Sequence, residues 1–339
     1  MTSSRKYKYL AILCLLICCL FAGYAANKSH NINTTPVTKT GFYFDTVIQI
    51  TLYGTFDEQI FDNCFALCEQ YETMLSRTLE NSDVWNINHA DGKPVIVSSE
   101  TAYLLEKAVY YSTLTNGIVD ATIAPLSNLW NFSATNPSVP SEADITSLLS
   151  HVNYKNITII KTDTTTTVSL SDPNASIDLG FIAKGYIADK LKEYLLSANI
   201  KSAIINLGGN VLTVGSKPDG SAFTIGIQQP FGDRNESAIA LPVTDSSLVS
   251  SGIYERYFTT EDGTLYHHIL DTKTGYPIQN NLFGVTILSA SSTDGDALST
   301  ACFALGLEKG MVLVESLEGI EAVFITNDNT LHYSSGLQP

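Results

Sequence analysis

The chain has 339 residues, of which 44% are hydrophobic, so it can bury a substantial core in one large domain or two small ones. Its 34 acidic residues outnumber 19 basic ones and give a net charge of −15. A chain this acidic offers no broad basic face to nucleic acid or to an anionic membrane surface. Any phosphate-binding site must therefore be local.

The N-terminal segment has the pattern of an export signal. A basic stretch containing Arg5, Lys6 and Lys8 precedes an uncharged run from Tyr9 to Asn27. The small residues of Gly23-Tyr24-Ala25 suit cleavage, whereas Cys18 or Cys19 would suit attachment of a lipid. The run is marginal in length for spanning a bilayer, so the sequence leaves the type of anchor open.

We therefore expect residues 1–26 to be a signal peptide or a membrane or lipoprotein anchor. The stretch 27–40, rich in Asn, Thr and Ser, reads as a linker. The expected location is the outer face of the bacterial cytoplasmic membrane.

The cysteines beyond this segment are Cys64, Cys68 and Cys302, which form no disulfide framework. Cys64 and Cys68 are four residues apart on a predicted helix. We interpret them as small buried hydrophobic residues in preference to a metal or redox pair.

Hydrophobic periodicity predicts a strand at 42–53 and then a helix at 57–76. Further helices are predicted at 99–115, 141–151, 183–196 and 296–305, and a hairpin at 156–170. The remaining predicted strands are 203–207, 211–215, 223–228, 238–243, 265–270, 283–290 and 321–326. Helices and antiparallel hairpins mix without strict βαβ alternation, which favours an α+β fold with a mainly antiparallel sheet and flanking helices.

The segment IDLGFIAKGYIAD, residues 177–189, joins a strand to a helix through a glycine turn. The first N–H groups of a helix attract phosphate or carboxylate, and Lys184 adds a full positive charge there. Asp178 can accept hydrogen bonds from a ligand or hold a metal ion. An Asp serving only as a helix cap and a solvated Lys explain this segment equally well.

In the last predicted large helix, Asp296, Ser299 and Thr300 share one face because they are spaced i, i+3, i+4. One carboxylate and two hydroxyls are a sparse set of hard oxygen ligands that suits Mg²⁺ with substrate phosphate and water. The alternative is that Asp296 stabilises the positive end of its own helix, with Asp294 or Gly295 before it.

Two further stretches carry candidate groups. His268 lies on a strand before the turn DTKTGYP and can act as a general base, and strand alternation places His267 on the opposite face. Asp120 lies in the loop NGIVDAT, and loops on rigid scaffolds often bind ligands. Trp130 is interpreted as a core residue. The sequence has no G-x-G-x-x-G, Walker A, Cys/His metal-binding or G-x-S-x-G motif, which removes the usual support for several enzyme classes.

Taken together, these stretches resemble the FAD:protein FMN transferase family, the ApbE-type flavin transferases. The resemblance runs from about residue 41 to 330 through blocks in the family's order: FDTVIQITLYG, LSRTLENSDVWNIN, NGIVDATIAPLSNLW, IDLGFIAKGYIAD, INLGGN, YHHILDTKTGYP and DALSTACFALG. It implies a single domain at 41–335 with the ligand site between two lobes.

The resemblance implies Mg²⁺-dependent transfer of FMN from FAD to a Thr or Ser hydroxyl of an acceptor protein, with release of AMP. It implies metal binding by Asp296, Thr300, Ser299 and the backbone carbonyl of Phe181. The residues implied to line the FAD site are Phe44, Ile118, Val119, Asp120, Asp178, Lys184 and His268. The implied acceptor is an FMN-binding domain of a membrane or exported electron-transfer system.

Lys184 and Mg²⁺ would offset the pyrophosphate charge, as phosphoryl transfer requires. His268 is our candidate for taking the acceptor proton, with Asp296 or a metal-bound water as alternatives. The chain departs from the family pattern at three positions: Phe44 replaces a usual Met, Thr78 replaces an aromatic residue of some members, and Phe181 replaces a small residue.

Two other functions are compatible with these residues. One is hydrolysis of FAD to FMN and AMP at the same site, and the other is flavin binding without catalysis in a lipoprotein.

Overall fold

The computed structural model of the protein describes residues 35–233 and 236–337. Its α-helices are α1 (Gln59–Leu75), α2 (Asp83–Asn88), α3 (Ser99–Leu114), α4 (Ala124–Trp130), α5 (Glu142–Leu149), α6 (Ala183–Ser197), α7 (Ser292–Leu305) and α8 (Leu307–Glu315). Its strands are β1 (Val37–Tyr43), β2 (Thr46–Leu52), β3 (Val95–Val97), β4 (Ile157–Lys161), β5 (Thr166–Leu170), β6 (Ser202–Leu207), β7 (Asn210–Gly215), β8 (Phe223–Gln228), β9 (Ser237–Val243), β10 (Ser247–Gly252), β11 (Tyr257–Thr259), β12 (Leu265–His267), β13 (Leu282–Ser289), β14 (Glu321–Thr326) and β15 (Leu331–Tyr333).

The centre of the fold is an antiparallel sheet in the order β1-β2-β6-β7-β10-β13-β14-β15. Smaller sheets are formed by β3-β5-β4, β8-β9 and β11-β12. The fold is a single α+β domain with a mainly antiparallel sheet and helices beside it, as the sequence predicts.

The main core lies where the helices pack on the large sheet. Alternate residues of β2, including Ile48, Ile50 and Leu52, are fully buried there together with residues of α1, α6 and α7. The β8-β9 hairpin forms a second core with residues of the large sheet, such as Leu248 and Val323. Since the sheet contributes to both cores, β10 and β13 are buried for most of their length.

A third apolar cluster joins α4 and α5 to the segment around β12. Trp130 is 1% exposed in this cluster, and its indole N–H donates a hydrogen bond of 2.8 Å to the Gly275 carbonyl. This confirms the interpretation of Trp130 as a core residue.

The buried thiols also behave as the sequence suggests. Cys64 and Cys68 are fully buried, and burial raises the pKa of both thiols to about 12. They serve as core residues of α1.

The predicted strand at 42–53 is wrong in one respect, because the region is a hairpin. β1 and β2 are joined by a turn at Phe44 and Asp45, both of which have positive φ angles of 53° and 55°. β1 begins at Val37, inside the segment predicted as the linker 27–40. Its polar composition misled the prediction, because an edge strand leaves much of its surface exposed.

Other boundaries also differ from the prediction. α7 begins at Ser292, four residues before the predicted helix at 296, and β12 ends at His267, so His268 follows the strand. Strands β3, β10, β11 and β15 and helices α2, α4 and α8 were not predicted. Short or uniformly apolar segments carry too little periodicity to be assigned from sequence.

Within residues 35–233 and 236–337, no helix has the length and apolarity needed to cross a membrane. The predicted signal or anchor at 1–26 lies outside the described residues.

Candidate active site

The candidate site is built where α6 begins against the side of α7. Gly185, in the first turn of α6, allows this approach: a Cβ placed there would lie 2.1 Å from the Ser292 carbonyl oxygen and 2.8 Å from Asp296 Cβ. These distances are far below an ordinary van der Waals contact. Only glycine therefore permits the two helices to come this close.

The carboxylate of Asp296 lies at this contact. Asp296 is 3% exposed, and its Oδ2 accepts a hydrogen bond of 2.9 Å from the Gly185 backbone N–H. Its Oδ1 is 3.6 Å from the Lys184 Nζ. The carboxylate thus contacts both a backbone N–H in the first turn of α6 and the side chain of Lys184.

The alternative role for Asp296, stabilising its own helix end, is not the one that the structure shows. Ser291 caps α7 by accepting a hydrogen bond from the Asp294 N–H. Asp294 accepts one of 2.6 Å from the Tyr111 hydroxyl and pairs with Lys107 at 3.2 Å. Burial and the hydrogen bond to Asp294 raise the pKa of Tyr111. Asp294 and Asp296 therefore serve opposite faces of α7.

Asp189 of α6 accepts hydrogen bonds from the first residues of α7. Its carboxylate accepts hydrogen bonds from the backbone N–H groups of Ser292 and Thr293, at 2.8 and 2.9 Å. Its Oδ2 also accepts one of 2.6 Å from the Thr293 hydroxyl. This residue was missed as a positioning group, because its partners are more than a hundred residues away.

The hydroxyls of Ser299 and Thr300 lie one turn beyond Asp296. Ser299 is fully buried, and its Oγ donates to the Asp296 backbone carbonyl at 2.9 Å. Ser251 of β10 reaches both side chains, with its Oγ 2.8 Å from Ser299 Oγ and 3.1 Å from Thr300 Oγ1. The prediction did not include Ser251, because the strand that carries it was not predicted.

The turn before α6 supplies the Phe181 carbonyl. In an unbroken helix this carbonyl would accept the Gly185 N–H, but that N–H donates to Asp296 instead. Among the hydrogen bonds of the described residues none ends on the Phe181 carbonyl. Its side chain is partly buried against the main core.

These oxygens fit a magnesium ion by their chemistry. Mg²⁺ takes one or two carboxylates, keeps several waters and shares substrate phosphate. A single buried carboxylate, a threonine hydroxyl and a backbone carbonyl are hard oxygen donors of this kind. No group of three or more His, Cys, Asp or Glu side chains suited to a metal occurs in the part of the chain described.

Asp178 is anchored to neighbouring segments. Its Oδ1 accepts a hydrogen bond of 2.8 Å from the Gly180 N–H, and its Oδ2 pairs with Arg77 Nε at 3.2 Å. Its own N–H donates to the Ala121 carbonyl at 2.7 Å. It does not cap α6, whose N-cap residue is Ile182. Arg77 was missed by the prediction although it lies in the LSRTLENSDVWNIN block.

The loop before α4 runs beside the segment that carries Asp178, which contains one isolated bridge at Ser176 in place of the strand predicted before α6. Asp120 is 6% exposed, and its carboxylate accepts hydrogen bonds from the Thr122 N–H and hydroxyl, at 2.8 and 2.7 Å, and from the Tyr154 N–H at 2.7 Å. Burial raises the pKa of Asp120, and these hydrogen bonds oppose the rise. These hydrogen bonds to the Asp120 carboxylate fix the conformation of the loop. The same loop carries Ile118, which is partly buried, and Val119, which is buried.

This loop is also tied to the turn after His268. The Thr272 hydroxyl donates a hydrogen bond of 2.5 Å to the Gly117 carbonyl. A cavity beside it has a volume of about 210 Å³ and is lined by residues of both segments, including Asn116, Asp120 and Lys273.

His267 and His268 have different surroundings, although His268 lies just beyond the end of the strand. His267 is buried, with Nε2 2.9 Å from the Ile278 carbonyl and its ring edge-on to Phe303. His268 is partly buried, and its Nδ1 is 3.2 Å from the Arg256 carbonyl. A carbonyl only accepts, so this contact makes Nδ1 the donor and leaves Nε2 of the neutral ring as a proton acceptor.

The charge state of His268 supports that assignment. Burial, followed by the nearby positive charge of Arg256, lowers its pKa to about 3, and Lys184 acts in the same direction. The imidazole is therefore neutral near pH 7.

Phe44 lies in a separate part of this region, at the turn between β1 and β2. Its N–H donates to Glu72 Oε1 at 2.6 Å, and its side chain is partly buried against the main core. Thr46 lies against Gly208 of the β6-β7 turn, so the two turns meet at one end of the sheet.

Comparisons with known proteins agree with this architecture. A sequence model described as the ApbE family matches residues 44–324. A protein of Klebsiella pneumoniae (strain 342) named FAD:protein FMN transferase is 39% identical over 289 residues, covering 85% of this chain and 88% of that protein. One of the same name from Treponema pallidum (strain Nichols) is 33% identical over 288 residues, covering 81% and 79%.

Solved structures are similar as well. The ApbE protein of Thermotoga maritima has a TM-score of 0.81 at 30% identity, covering 89% of this chain and 98% of that one. The flavin transferase ApbE of Vibrio cholerae has a TM-score of 0.76 at 27% identity, covering 89% and 97%. With the family match spanning most of its length, the chain belongs to the ApbE family.

Proposed function

We propose that the protein is an FAD:protein FMN transferase that moves FMN from FAD to a Thr or Ser hydroxyl of an acceptor protein and releases AMP. The observation that carries this proposal is the juxtaposition of the buried Asp296 carboxylate with Lys184 and the first turn of α6, 3.6 Å and 2.9 Å away. The named relatives, similar over most of both chains, support the same reaction.

The residues that would hold Mg²⁺ are Asp296, Thr300 and the Phe181 carbonyl, with Ser299 buried behind them. When bound, the ion would neutralise negative charge on the pyrophosphate. Lys184 adds a positive charge at the same place, and the N–H groups that open α6 favour an anion. Positioning and charge neutralisation supply most of the catalysis in phosphoryl transfer.

His268 would take the proton of the attacking hydroxyl at Nε2, because Nδ1 is committed to the Arg256 carbonyl. The acceptor oxygen forms a bond to the phosphorus on the FMN side of the pyrophosphate. The bond from that phosphorus to the bridging oxygen breaks, and AMP leaves with this oxygen. The product is a phosphoester, and no atom changes its oxidation state in the reaction.

Ile118, Val119 and Asp120 belong to the loop that lies beside Asp178, and we assign this loop and Phe44 to the binding of FAD. The parallel bridge between Ile123 and Ser176, together with the hydrogen bond from the Asp178 N–H to the Ala121 carbonyl, holds the loop to the segment that carries Asp178. We propose that Asp178 and Lys184 contact FAD in the same site.

We also propose that the protein acts outside the cytoplasm, held at the membrane by its N-terminus. The basic and apolar pattern of residues 1–26 supports this location. Its acceptor would be an FMN-binding domain of a membrane or exported electron-transfer system. Fractionation of cells that produce the full chain would test the location, and recovery in the cytoplasm alone would contradict it.

The reaction is tested by incubating residues 27–339 with FAD, Mg²⁺ and a purified FMN-carrier domain, then weighing the carrier by mass spectrometry. Transfer adds the mass of FMN less one water, and a carrier whose acceptor Thr is replaced by Val should gain nothing. Free FMN and AMP with an unmodified carrier would instead indicate hydrolysis, and intact FAD would indicate binding alone. Either result would contradict the proposed transfer.

A further inference from the structure

The hydroxyl of Ser251 contacts both hydroxyls of the α7 face, and no part of the proposed reaction has used it. We propose that Ser251 is a positioning residue that sets the orientation of the Thr300 hydroxyl through a one-way chain of hydrogen bonds. This inference rests on the proposed function, since it concerns how the Thr300 oxygen is presented to Mg²⁺. It also separates the roles of Ser299 and Thr300, which the sequence left equivalent.

The direction of the chain follows from counting protons. Each hydroxyl has one proton to donate and two lone pairs. Ser299 donates its proton to the Asp296 carbonyl, which can only accept. In the 2.8 Å contact with Ser299, Ser251 must therefore be the donor. Its proton is then used, so in the 3.1 Å contact Thr300 must donate to Ser251.

The order is thus Thr300 to Ser251 to Ser299 to the Asp296 carbonyl. The Thr300 proton is directed toward β10, which leaves only lone pairs on the side of the oxygen that faces away from Ser251. A cation requires lone pairs on its ligand, so this orientation prepares Thr300 for Mg²⁺. Ser299 is fully buried and both donates and accepts within the chain, so we assign it to support Thr300 and exclude it as a ligand.

Ser251 is well placed to act in this way because it is carried by an internal strand. β10 lies between β7 and β13, and Ser251 pairs with Val285 of β13. The next residue, Gly252, is confined by the Tyr254 ring, 2.5 Å from where a Cβ would lie. A group on a rigid strand can hold a ligand's orientation more closely than one on a loop.

Ser250 provides a matched control. It precedes Ser251 on the same strand, so its side chain points to the opposite face of the sheet. Its hydroxyl is 2.8 Å from the Thr286 hydroxyl, a contact as short as that between Ser251 and Ser299. Ser250→Ala therefore removes one hydroxyl contact from β10 without touching Thr300.

The test measures binding of Mn²⁺, a paramagnetic substitute for Mg²⁺, by its electron spin resonance signal in the presence of saturating FAD. Ser251→Ala should weaken binding by about 10- to 100-fold, the usual effect of removing a group that orients a metal ligand. Ser251→Thr retains the hydroxyl and should bind within a few-fold of wild type, as should Ser250→Ala. Wild-type affinity in Ser251→Ala, or an equal loss in Ser250→Ala, would overturn the proposal.

The role of Ser299 gives a second test. Ser299→Ala removes the acceptor of the Ser251 proton, which can then turn to Thr300 and reverse that contact. Binding should weaken, but Ser251→Ala/Ser299→Ala should be no weaker than Ser251→Ala alone, because the chain is already broken. If Ser299 were itself a ligand, the two losses would multiply, and that result would contradict the assignment.

Variants at the metal residues distinguish a failure of this inference from a failure of the proposed function. Asp296→Ala and Thr300→Val should each abolish most Mn²⁺ binding. If they do so while Ser251→Ala binds normally, the hydroxyl chain is wrong and the metal site stands. If neither Asp296→Ala nor Thr300→Val changes Mn²⁺ binding, both the metal site and the role of Ser251 are wrong.

Discussion

The close approach of α6 to α7 at Gly185 leads to a prediction with a calculable size. In Gly185→Ala the new methyl group would lie 2.1 Å from the Ser292 carbonyl oxygen and 2.6 Å from the Ser292 carbonyl carbon. Both atoms belong to the backbone, so no side-chain rotation can relieve the clash. Since non-bonded heavy atoms prefer about 3.5 Å or more, the two helices must separate by roughly 1 to 1.5 Å.

The expected loss of stability combines two terms. Forcing an extra methyl group into a packed contact costs about 1–3 kcal/mol. Alanine recovers up to about 1 kcal/mol over glycine through its helix propensity. Because the clash is with backbone atoms, we take the upper part of the first range, about 2–3 kcal/mol. The free energy of unfolding should therefore fall by about 1–3 kcal/mol, measured by urea denaturation of residues 27–339.

The effect on transfer should be larger than the effect on stability. The Gly185 N–H holds Asp296 Oδ2, so separating the helices displaces the carboxylate from Lys184. A misplacement of about 1 Å at a reacting site can reduce the rate by about 10²-fold. Transfer of FMN to the carrier, followed by mass spectrometry under conditions where the variant remains folded, measures this loss.

Gly310→Ala is the matched control. A Cβ at Gly310 would also meet a backbone oxygen, that of Cys302 at 2.8 Å, but the contact joins α8 to the far end of α7. This variant should lose stability while its folded fraction transfers FMN at nearly the wild-type rate. If Gly185→Ala keeps wild-type stability and rate, or if Gly310→Ala loses transfer equally, the reasoning from the helix contact is refuted.

Three further predictions concern charged and buried groups. Asp296→Asn should abolish Mg²⁺-dependent transfer, and full activity of this variant would contradict the metal assignment. Asp294→Asn loses the ion pair with Lys107 and weakens the hydrogen bond from Tyr111 on the other face of α7, so it should lower the urea midpoint and keep transfer. The pKa of His268 is about 3 in the folded protein and about 6.5 when unfolded, so the unfolded chain binds more protons between these values, and stability falls as the pH drops through that window. In urea titrations at several pH values, wild type should lose stability on acidification relative to His268→Gln, and a difference that does not vary with pH would refute the lowered pKa. Because burial raises the pKa of Cys64, Cys68 and Cys302 to about 12, residues 27–339 should not react with a thiol reagent until denatured, and rapid native labelling would show that these thiols are exposed.

Much of the fold was predictable because its signals are local. The helical spacing in α1, the Asn-Gly turn after α3 and the threonine-rich hairpin of β4 and β5 each depend on a few consecutive residues. The blocks of family resemblance are local in the same sense, and they located Asp178, Lys184, His268 and the α7 face. The hairpin at Phe44 was missed because its turn has no glycine or asparagine to indicate the positive φ angles.

The sequence by itself determined the chemical groups of the site and the class of the fold, because residue types and short-range periodicity are properties of neighbouring residues. Only the tertiary structure decided which groups meet. The contact between Gly185 and Asp296 joins residues 111 apart in the chain, and Ser251 reaches Thr300 across 49. A local sequence pattern cannot predict contacts between residues so far apart, because these contacts depend on how the helices pack against the sheet. This packing directs Asp296 toward α6 and Asp294 away from it, although only one residue separates them in the sequence.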